Sequence, residues 1–251
     1  MKLQIKKLFV VTSLSLSLAL PVKADFSKGL VAYNNKDYDS AFKWYSLSAN
    51  EGDSSAQNNL AVMYENGHGV KQNYAKASEW YRKAAEQGDI NAQHSLGVLY
   101  SEGRGVPRDN EKAYEWYKKA ADQGNEHAQR NIGLMYYNGI GKPKNYGKAY
   151  TWLEKAASQG NALAQLNIGV MYYDGLGVRQ NYLEAFNWYH KAASQGNEVA
   201  QYNIGAMYTG GQGIREDLYE ALAWWGKSCD GGHRDGCTQY RKLRNFLNNN
   251  R

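Results

Sequence analysis

The sequence predicts an all-α protein, an α-solenoid of about six 36-residue helix–turn–helix repeats with a C-terminal capping helix. Two features recur along the chain at a step of 36 residues, and a fixed step of this size identifies internal repeats. One is the dipeptide Ala-Gln, whose alanines are Ala56, Ala92, Ala128, Ala164 and Ala200. The other is a tryptophan, found at Trp44, Trp80, Trp116, Trp152, Trp188 and Trp224.

The first 24 residues have the composition of a signal peptide. A lysine-containing start precedes an apolar, serine-rich run from Leu8 to Leu20, which is too short to span a membrane. The small residue Ala24 marks the expected cleavage point before Asp25. We therefore expect a periplasmic or secreted protein without membrane insertion, and an uncleaved N-terminal anchor is the alternative.

Residues 25–251 are predicted to form one repeat domain. Its units are expected at residues 25–52, 53–88, 89–124, 125–160, 161–196 and 197–232, with the capping helix at 233–251. Four of the 30 lysines and arginines lie in the first 24 residues, which contain no acid, so the repeat domain is nearly neutral. This balance removes the basic excess typical of nucleic-acid binding, and we expect a monomer that binds no nucleic acid.

The first helix of each unit is predicted from an apolar stripe and a small residue. In the first full copy, Ala56, Leu60, Met63 and Tyr64 have the spacing of one face of an amphipathic helix. The residue after the central aliphatic is always small, and its copies are Ala61, Gly97, Gly133, Gly169 and Gly205. Glycine inside a helix costs about 1 kcal/mol relative to alanine, so its repetition predicts a close helix crossing.

Glycines and polar caps delimit the two helices of each unit. The first helix should stop at the Gly67 position, where glycine suits a left-handed C-terminal cap, and we interpret the repeated Gly-x-Gly in this way rather than as a phosphate loop. An Asn or Asp such as Asn73 then caps the second helix, whose buried stripe is predicted to be Ala77, Trp80 and Ala84.

These runs resemble the Sel-one-like repeat family, a 36-residue relative of the tetratricopeptide repeat. The matching segments are Ala-Gln-x-x-Leu-Gly-x-x-Tyr at Ala92–Tyr100, the Gly-x-Gly loop, and Ala-x-x-Trp-Tyr-x-Lys-Ala-Ala at Ala113–Ala121. The resemblance implies thirteen helices in a right-handed superhelix, with the first helix of each unit lining a concave surface that binds protein. The first unit has a shortened loop, as in an ordinary tetratricopeptide unit, and a polar, basic helix at about 235–247 closes the stack.

The two cysteines, Cys229 and Cys237, stand at repeat positions that face each other across a turn of such a stack. The cysteine-rich secreted branch of the family is similar, with cysteine pairs eight residues apart at this place, which implies a disulfide. A metal site is the alternative, because Cys229, His233 and Cys237 are spaced i, i+4, i+8, and free thiols are a third.

Little in the sequence predicts catalysis. The five histidines occupy different repeat positions and are expected to be solvated, with no metal or cofactor site. Ser40 and Lys43 match the Ser-x-x-Lys pattern of penicillin-recognising enzymes, but the partner motifs of those enzymes are missing and both positions face outward. We therefore predict a protein that is not an enzyme.

The concave surface is the predicted binding site for a protein or peptide partner. A helical wheel turns one side of each first helix away from the core, and aliphatic and tyrosine side chains cluster there beside a ladder of asparagines. These residues are Asn131, Leu134, Tyr137, Leu166, Asn167, Val170, Tyr173, Tyr202 and Asn203. Packing between repeats is the alternative role for the tyrosines and asparagines.

Three functions fit the sequence. The leading one is an exported, non-enzymatic scaffold for protein–protein interaction. The second is a periplasmic immunity protein that neutralises a cognate toxic effector. The third is a weak β-lactamase-like or cell-wall-fragment-binding protein, which rests on Ser40, Lys43 and family analogy.

Overall fold

The computed structural model describes residues 25–250, which form thirteen α-helices without a strand. The predicted signal peptide, residues 1–24, lies outside the described residues. The helices are α1 Phe26–Asn34, α2 Tyr38–Asn50, α3 Ser54–Asn66, α4 Tyr74–Glu86, α5 Ile90–Glu102, α6 Asn110–Asp122, α7 Glu126–Asn138, α8 Tyr146–Ser158, α9 Ala162–Asp174, α10 Tyr182–Ser194, α11 Glu198–Gly210, α12 Leu218–Asp230 and α13 Arg234–Asn249.

The helices form a stack in which contacts run between neighbours in the sequence. Each helix packs chiefly against the one before it and the one after it, and α13 also touches α11. The hairpins α1–α2 to α11–α12 thus share a core that is buried between successive units. This arrangement confirms the predicted all-α solenoid of six hairpins and a terminal helix.

The predicted caps are present at both ends of the helices. Asn73 accepts a hydrogen bond from the backbone N–H of Lys76 at the start of α4, and Asp89 accepts one from Ala92 at the start of α5. Gly67 ends α3 with a φ of 72°, in the left-handed region. The Gly-x-Gly loops are therefore helix stops, as the sequence predicted.

The repeated small residue marks a close crossing within each hairpin. A Cβ atom added to Gly97 would lie 2.6 Å from the ring of Tyr117, and one added to Gly169 would lie 2.5 Å from the ring of Tyr189. Real Cβ atoms do not approach other atoms this closely. The glycines therefore allow a large buried side chain of the second helix to lie flat on the first helix.

The predicted core stripe of the second helix was wrong by one residue. Trp80 is only half-buried, whereas the next residue, Tyr81, is 1% exposed and packs beside Ala77 and Ala84. Trp80 instead lies at the edge of the core, with the ammonium group of Lys83 3.9 Å from its ring centroid. The same Lys–Trp contact recurs in the copies at Trp116, Trp152, Trp188 and Trp224. The tryptophan was the expected core residue because it is larger than tyrosine and recurs in every unit.

The Gln of each Ala-Gln pair forms a buried hydrogen-bond ladder that joins successive units. Gln93 donates to the backbone carbonyl of Ala85 at the end of the preceding helix, at 3.1 Å. Its own amide oxygen accepts a bond of 2.8 Å from Gln123, which ends the following second helix. The glutamine adds a second hydrogen bond to a carbonyl at the helix end that already accepts the Gly88 N–H, so the Ala-Gln repeat has a structural cause.

Cys229 and Cys237 form a disulfide between the end of α12 and the first turn of α13. Cys229 stands at the repeat position of Ala85, and Cys237 stands at that of Gln93. The disulfide therefore joins the two positions that a glutamine–carbonyl hydrogen bond joins in the earlier units. His233 caps α13 by accepting a hydrogen bond from the Gly236 N–H at 3.1 Å, so it fills the role of the Asn or Asp in other copies.

Candidate functional site

The candidate site is the side of helices α3, α5, α7, α9 and α11 that lies outside their apolar core stripe, and we call it the first-helix surface. Each of these helices carries a variable residue at the position of Asn58, an aliphatic residue at that of Val62 and a third residue at that of Glu65. All nine predicted binding residues lie on this surface, and all nine are half-buried. They are therefore neither core residues nor fully solvated ones.

Three hollows open on the first-helix surface at matching places in alternate hairpins. Each is lined by a core tyrosine of a second helix, an asparagine of the next first helix and an aliphatic residue. Their volumes are about 210, 290 and 250 Å³. The tyrosine–asparagine pairs are Tyr45 with Asn59, Tyr117 with Asn131, and Tyr189 with Asn203.

The hollows unite five of the nine predicted residues in two groups. Asn131 and Leu134 line the middle hollow, which includes Ser101 and Tyr117. Val170, Tyr173 and Asn203 line the third hollow, together with Tyr189. The site is thus a series of separate hollows, whereas the sequence suggested one continuous patch.

The predicted tyrosines also make contacts within their own hairpin or with the next unit. The hydroxyl of Tyr173 donates a hydrogen bond of 2.8 Å to the side chain of Gln212, and the ring of Tyr137 meets that of Tyr146 edge to face at 5.2 Å. The Tyr202 ring lies 5.0 Å from that of His233, beside the terminal disulfide turn. Leu166 packs against the core cluster of α10 and α11. These contacts fix the orientation of the tyrosine rings on the surface.

The hydrogen bond that each asparagine of the ladder makes depends on the residue that the second helix places opposite it. Burial raises the pKa of the Tyr189 hydroxyl, and a side-chain hydrogen bond from Asn203 opposes this shift. At the fourth copy the tyrosine is replaced by Leu153, which has no hydroxyl group. Asn167 there turns back and donates to the carbonyl of Leu163 in its own helix, at 2.8 Å. The asparagines of the ladder therefore bond to groups of the protein itself, and Asn131 and Asn203 also line an open hollow.

A charged network fills the interval between the first and middle hollows. The hydroxyl of Tyr81 donates to a carboxylate oxygen of Glu65 at 2.7 Å, and Arg104 bridges that carboxylate and Glu102. Burial and the Glu65 carboxylate both raise the pKa of Tyr81. Tyr81 and Glu65 occupy the positions that correspond to Tyr117 and Ser101, which line the middle hollow.

The histidines are less solvated than the sequence suggested. His94 is half-buried against Tyr117, with a ring distance of 5.7 Å, and lies 5.8 Å from the ring of His127. Burial, then the nearby His127 and Arg130, lowers the pKa of His94 to about 4. His68 stacks on Tyr38 at 4.4 Å and bonds to the hydroxyl of Tyr33. The prediction of solvated positions was therefore wrong for His68 and His94, because neighbouring units cover them.

The residues considered for catalysis and metal binding have other surroundings. Ser40 lies in the first turn of α2, where its backbone N–H bonds to Asp37, and Lys43 is exposed one turn later. Cys229 and Cys237 are consumed by the disulfide, so the Cys229–His233–Cys237 metal alternative was wrong. Among residues 25–250, no group of three His, Cys, Asp or Glu side chains is arranged to hold a metal ion.

Comparison with known families gives a match over most of the chain. A Sel1 repeat model matches residues 34–53, 54–89, 90–125, 126–161, 162–197 and 199–233. No curated protein gives a significant match. Within the described part of the chain, no helix has the length and apolar character needed to cross a membrane.

Several solved structures are similar. One is a protective antigen present in uropathogenic Escherichia coli strains, which has an SLR fold; it is 39% identical, with a TM-score of 0.81 over 87% of this chain. The chain spans about half of that antigen, 48% of its length. A Sel1 repeat protein from Oxalobacter formigenes is 33% identical, with a TM-score of 0.81 over 86% of each chain.

An immunity protein from Pseudomonas aeruginosa is more distant. It is 21% identical, with a TM-score of 0.52 over 82% of this chain and 83% of its own. At this identity the likeness shows the fold alone.

Proposed function

Because the chain belongs to the Sel1 repeat family, we propose that it is an exported, non-enzymatic scaffold that binds a polypeptide partner on its first-helix surface. Sel1 repeat proteins mediate protein–protein interactions, and the fold is generally a scaffold without catalysis. To this general role we add three points, which are the export of the protein, the surface that binds and the kind of partner.

The series of hollows carries this proposal. They lie at equivalent places in alternate hairpins, and each combines an apolar wall with a tyrosine hydroxyl and an asparagine amide. A polypeptide in an extended conformation also presents backbone donors and acceptors at regular intervals, with side chains between them. A regular series of polar hollows on a helical stack suits such a ligand better than it suits a compact small molecule, which needs a single enclosed pocket.

Two further observations support export. The disulfide between Cys229 and Cys237 is of a kind that persists in oxidising compartments and is rare in the cytosol. A similar protein is a protective antigen present in uropathogenic Escherichia coli strains, and export would suit a protein of that kind. Both observations agree with the signal peptide that the sequence predicts.

Site-specific photo-crosslinking in the organism that encodes the protein tests the surface. A photoreactive amino acid is placed at Leu134, which lines the middle hollow, and separately at Val170, which lines the third. The matched control carries it at Leu183, which lies on the second helix α10 and is 52% exposed. We expect a discrete crosslinked partner at Leu134 and Val170, identified by mass spectrometry, and no such band at Leu183.

The pattern of crosslinks distinguishes specific binding at the first-helix surface from nonspecific binding elsewhere on the protein. A partner captured only at Leu183, or equally at all three positions, would refute the assignment to the first-helix surface. Far-ultraviolet circular dichroism and melting temperature of each variant must match those of the unmodified protein, so that a missing band is not a misfolding effect.

Amino-terminal sequencing tests the export step independently. The protein recovered from the extracytoplasmic fraction is expected to begin at Asp25. Recovery of an intact N terminus, with the protein confined to the cytosol and two titratable thiols, would contradict export.

A further inference from the structure

The middle of the first-helix surface holds a cation that lacks a counter-charge. Arg130, on α7, is half-buried, and its Nε atom is fully buried without a hydrogen-bond partner. Within residues 25–250, its guanidinium makes no ion pair or hydrogen bond, and its electrostatic neighbours include Tyr117 and His94, which supply no negative charge. Burial lowers the pKa of Arg130, which reflects the cost of holding its charge away from water.

Hydrogen-bonding groups surround this cation. The amide nitrogen of Asn131 lies 3.3 Å from His94 Nε2, and the hydroxyl of Tyr117 lies 3.2 Å from that of Ser101. His94 and Tyr117 pack ring to ring, and the middle hollow opens beside Asn131 and Tyr117. The cluster therefore combines a buried cation with several neutral donors next to an open volume of about 290 Å³.

Nearby acidic side chains make their contacts with other residues. Glu65 and Glu102 pair with Arg104, and Glu126, on the same helix as Arg130, lies 3.7 Å from His127. Within residues 25–250, no carboxylate forms an ion pair with Arg130. Other copies of this position are Asn58, His94, Leu166 and Tyr202, so the fold itself does not require a cation here.

We propose that Arg130, with His94 and Asn131, forms a recognition site for a carboxylate group of the polypeptide partner. This inference rests on the proposed function, because it names the chemistry that the first-helix surface would recognise beside its middle hollow, which Asn131 lines. The carboxylate can come from an Asp or Glu side chain or from a C-terminal residue. Both present the planar pair of oxygens that a guanidinium binds best.

The physical reason is the cost of an unpaired buried charge. A cation removed from water without a partner destabilises the free protein, and a bound carboxylate restores the lost interaction. Charge-assisted hydrogen bonds in partly buried sites are about twice as strong as neutral ones. The same geometry gives little to a neutral amide ligand, which cannot compensate the charge.

Three blocked tripeptides test the inference on the purified, disulfide-bonded protein. Acetyl-Gly-Asp-Gly-amide offers a side-chain carboxylate, acetyl-Gly-Gly-Gly with a free C terminus offers a terminal one, and acetyl-Gly-Asn-Gly-amide is the neutral match. Binding is followed by nuclear magnetic resonance of arginine Nε–Hε groups and histidine ring protons. We expect saturable shifts of Arg130 and His94 with at least one carboxylate peptide, at an affinity roughly tenfold or more above that of the Asn peptide.

Variants supply the controls. Arg130→Leu copies the residue of the fourth unit, so it should fold, and it should abolish the carboxylate-dependent shift of His94. Arg215→Gln removes an exposed cation of the α11–α12 loop and should leave the shift unchanged. The carboxylate that binds identifies the source of the charge, side chain or chain end.

Equal shifts with all three peptides, or shifts that survive Arg130→Leu, would overturn the inference. The result is separable from that of the crosslinking experiment. A partner captured at Leu134 whose binding is insensitive to Arg130→Leu would refute the carboxylate site alone and leave the proposed function standing.

Discussion

Replacing the terminal disulfide by the hydrogen bond of the earlier repeats tests how the end of the solenoid is fixed. The double variant Cys229→Ala, Cys237→Ala removes the link between α12 and α13. A second double variant, Cys229→Ala with Cys237→Gln, restores the residues found at these positions in the earlier units, such as Ala85 and Gln93.

The expected loss of stability follows from the length of the loop that the disulfide closes and from the packing of α13. The two cysteines are eight residues apart, and closing so short a loop stabilises by about 2.5 kcal/mol on the chain-entropy model. Helix α13 packs on α12 and α11 only, so the loss falls on its local opening rather than on the whole stack. We expect amide protection in α13 to fall roughly 70-fold in the Ala/Ala variant.

The glutamine variant should recover part of that loss. The carbonyl of Cys229 accepts one backbone bond, from Gly232, just as the carbonyl of Ala85 accepts one from Gly88 and a second from Gln93. One position for a side-chain donor is therefore open. A hydrogen bond of this kind contributes about 1 kcal/mol, which is a recovery of about fivefold in protection.

Hydrogen–deuterium exchange measured by mass spectrometry reports both effects, with peptides of α5 and α6 as the internal reference. The expected order of α13 protection is wild type, then Ala/Gln, then Ala/Ala, with unchanged exchange in the reference. Equal exchange of α13 in all three proteins would refute the reasoning, because packing alone would then hold the terminal helix. A loss spread evenly over α5 to α13 would contradict the local, one-dimensional character of the stack.

Three further predictions concern the interior of the repeats. Gly169→Ala should lower the free energy of unfolding by about 1–3 kcal/mol in urea titrations, because its Cβ would meet the Tyr189 ring. Gly147→Ala should raise it by up to about 0.5 kcal/mol, because its Cβ would make only an ordinary van der Waals contact, 3.5 Å from Asn145 Oδ1. Gln129→Ala should cost about 1–2 kcal/mol in the same measurement, since it removes two hydrogen bonds that join successive units. The pKa of His94 is about 4 in the folded protein, below its ordinary 6.5, so the unfolded chain takes up a proton at a higher pH than the folded protein does. The free energy of unfolding should therefore fall as the pH drops from about 6.5 to 4. His94→Asn should remove about 2–3 kcal/mol of this pH dependence in urea titrations at several pH values, and an identical pH profile in both proteins would contradict the reasoning.

The sequence was sufficient for the fold because a repeat provides internal replicates. Stops, caps and the close crossing each recur several times, and the structure has them where the pattern placed them, as at Gly67, Asn73 and Gly97. The one-residue error at Trp80 and Tyr81 has a physical reason. Both neighbours are large and aromatic, and only the angle of packing decides which of them enters the core.

The candidate site was only partly predictable. Periodicity identified the first-helix surface, because the positions facing away from the core follow from the helical wheel. The hollows did not follow, since they depend on pairs 14 residues apart on different helices, such as Tyr117 with Asn131 and Tyr189 with Asn203. The cluster at Arg130 also escaped, because His94 and His127 stand at different repeat positions and meet only through the stacking of α5 on α7.

The side chains along one row of the first-helix surface change in chemical character from one end of the row to the other. At the position of Asn58 the side chains run from polar and charged, Asn58, His94 and Arg130, to apolar and aromatic, Leu166 and Tyr202. The backbone repeats under all five, so the caps, glycines and Ala-Gln pairs do not set the gradient, although Leu166 and Tyr202 also pack on neighbouring core clusters. A polypeptide lying along this row would gain charge compensation only over the α5–α7 half and apolar burial only over the α9–α11 half. Reversing such a ligand would place its carboxylate over Leu166 and its apolar residues over Arg130, and both halves would then lose free energy. If a polypeptide binds along this row as proposed, the row would distinguish the two orientations of the bound chain, which a symmetric surface would not do.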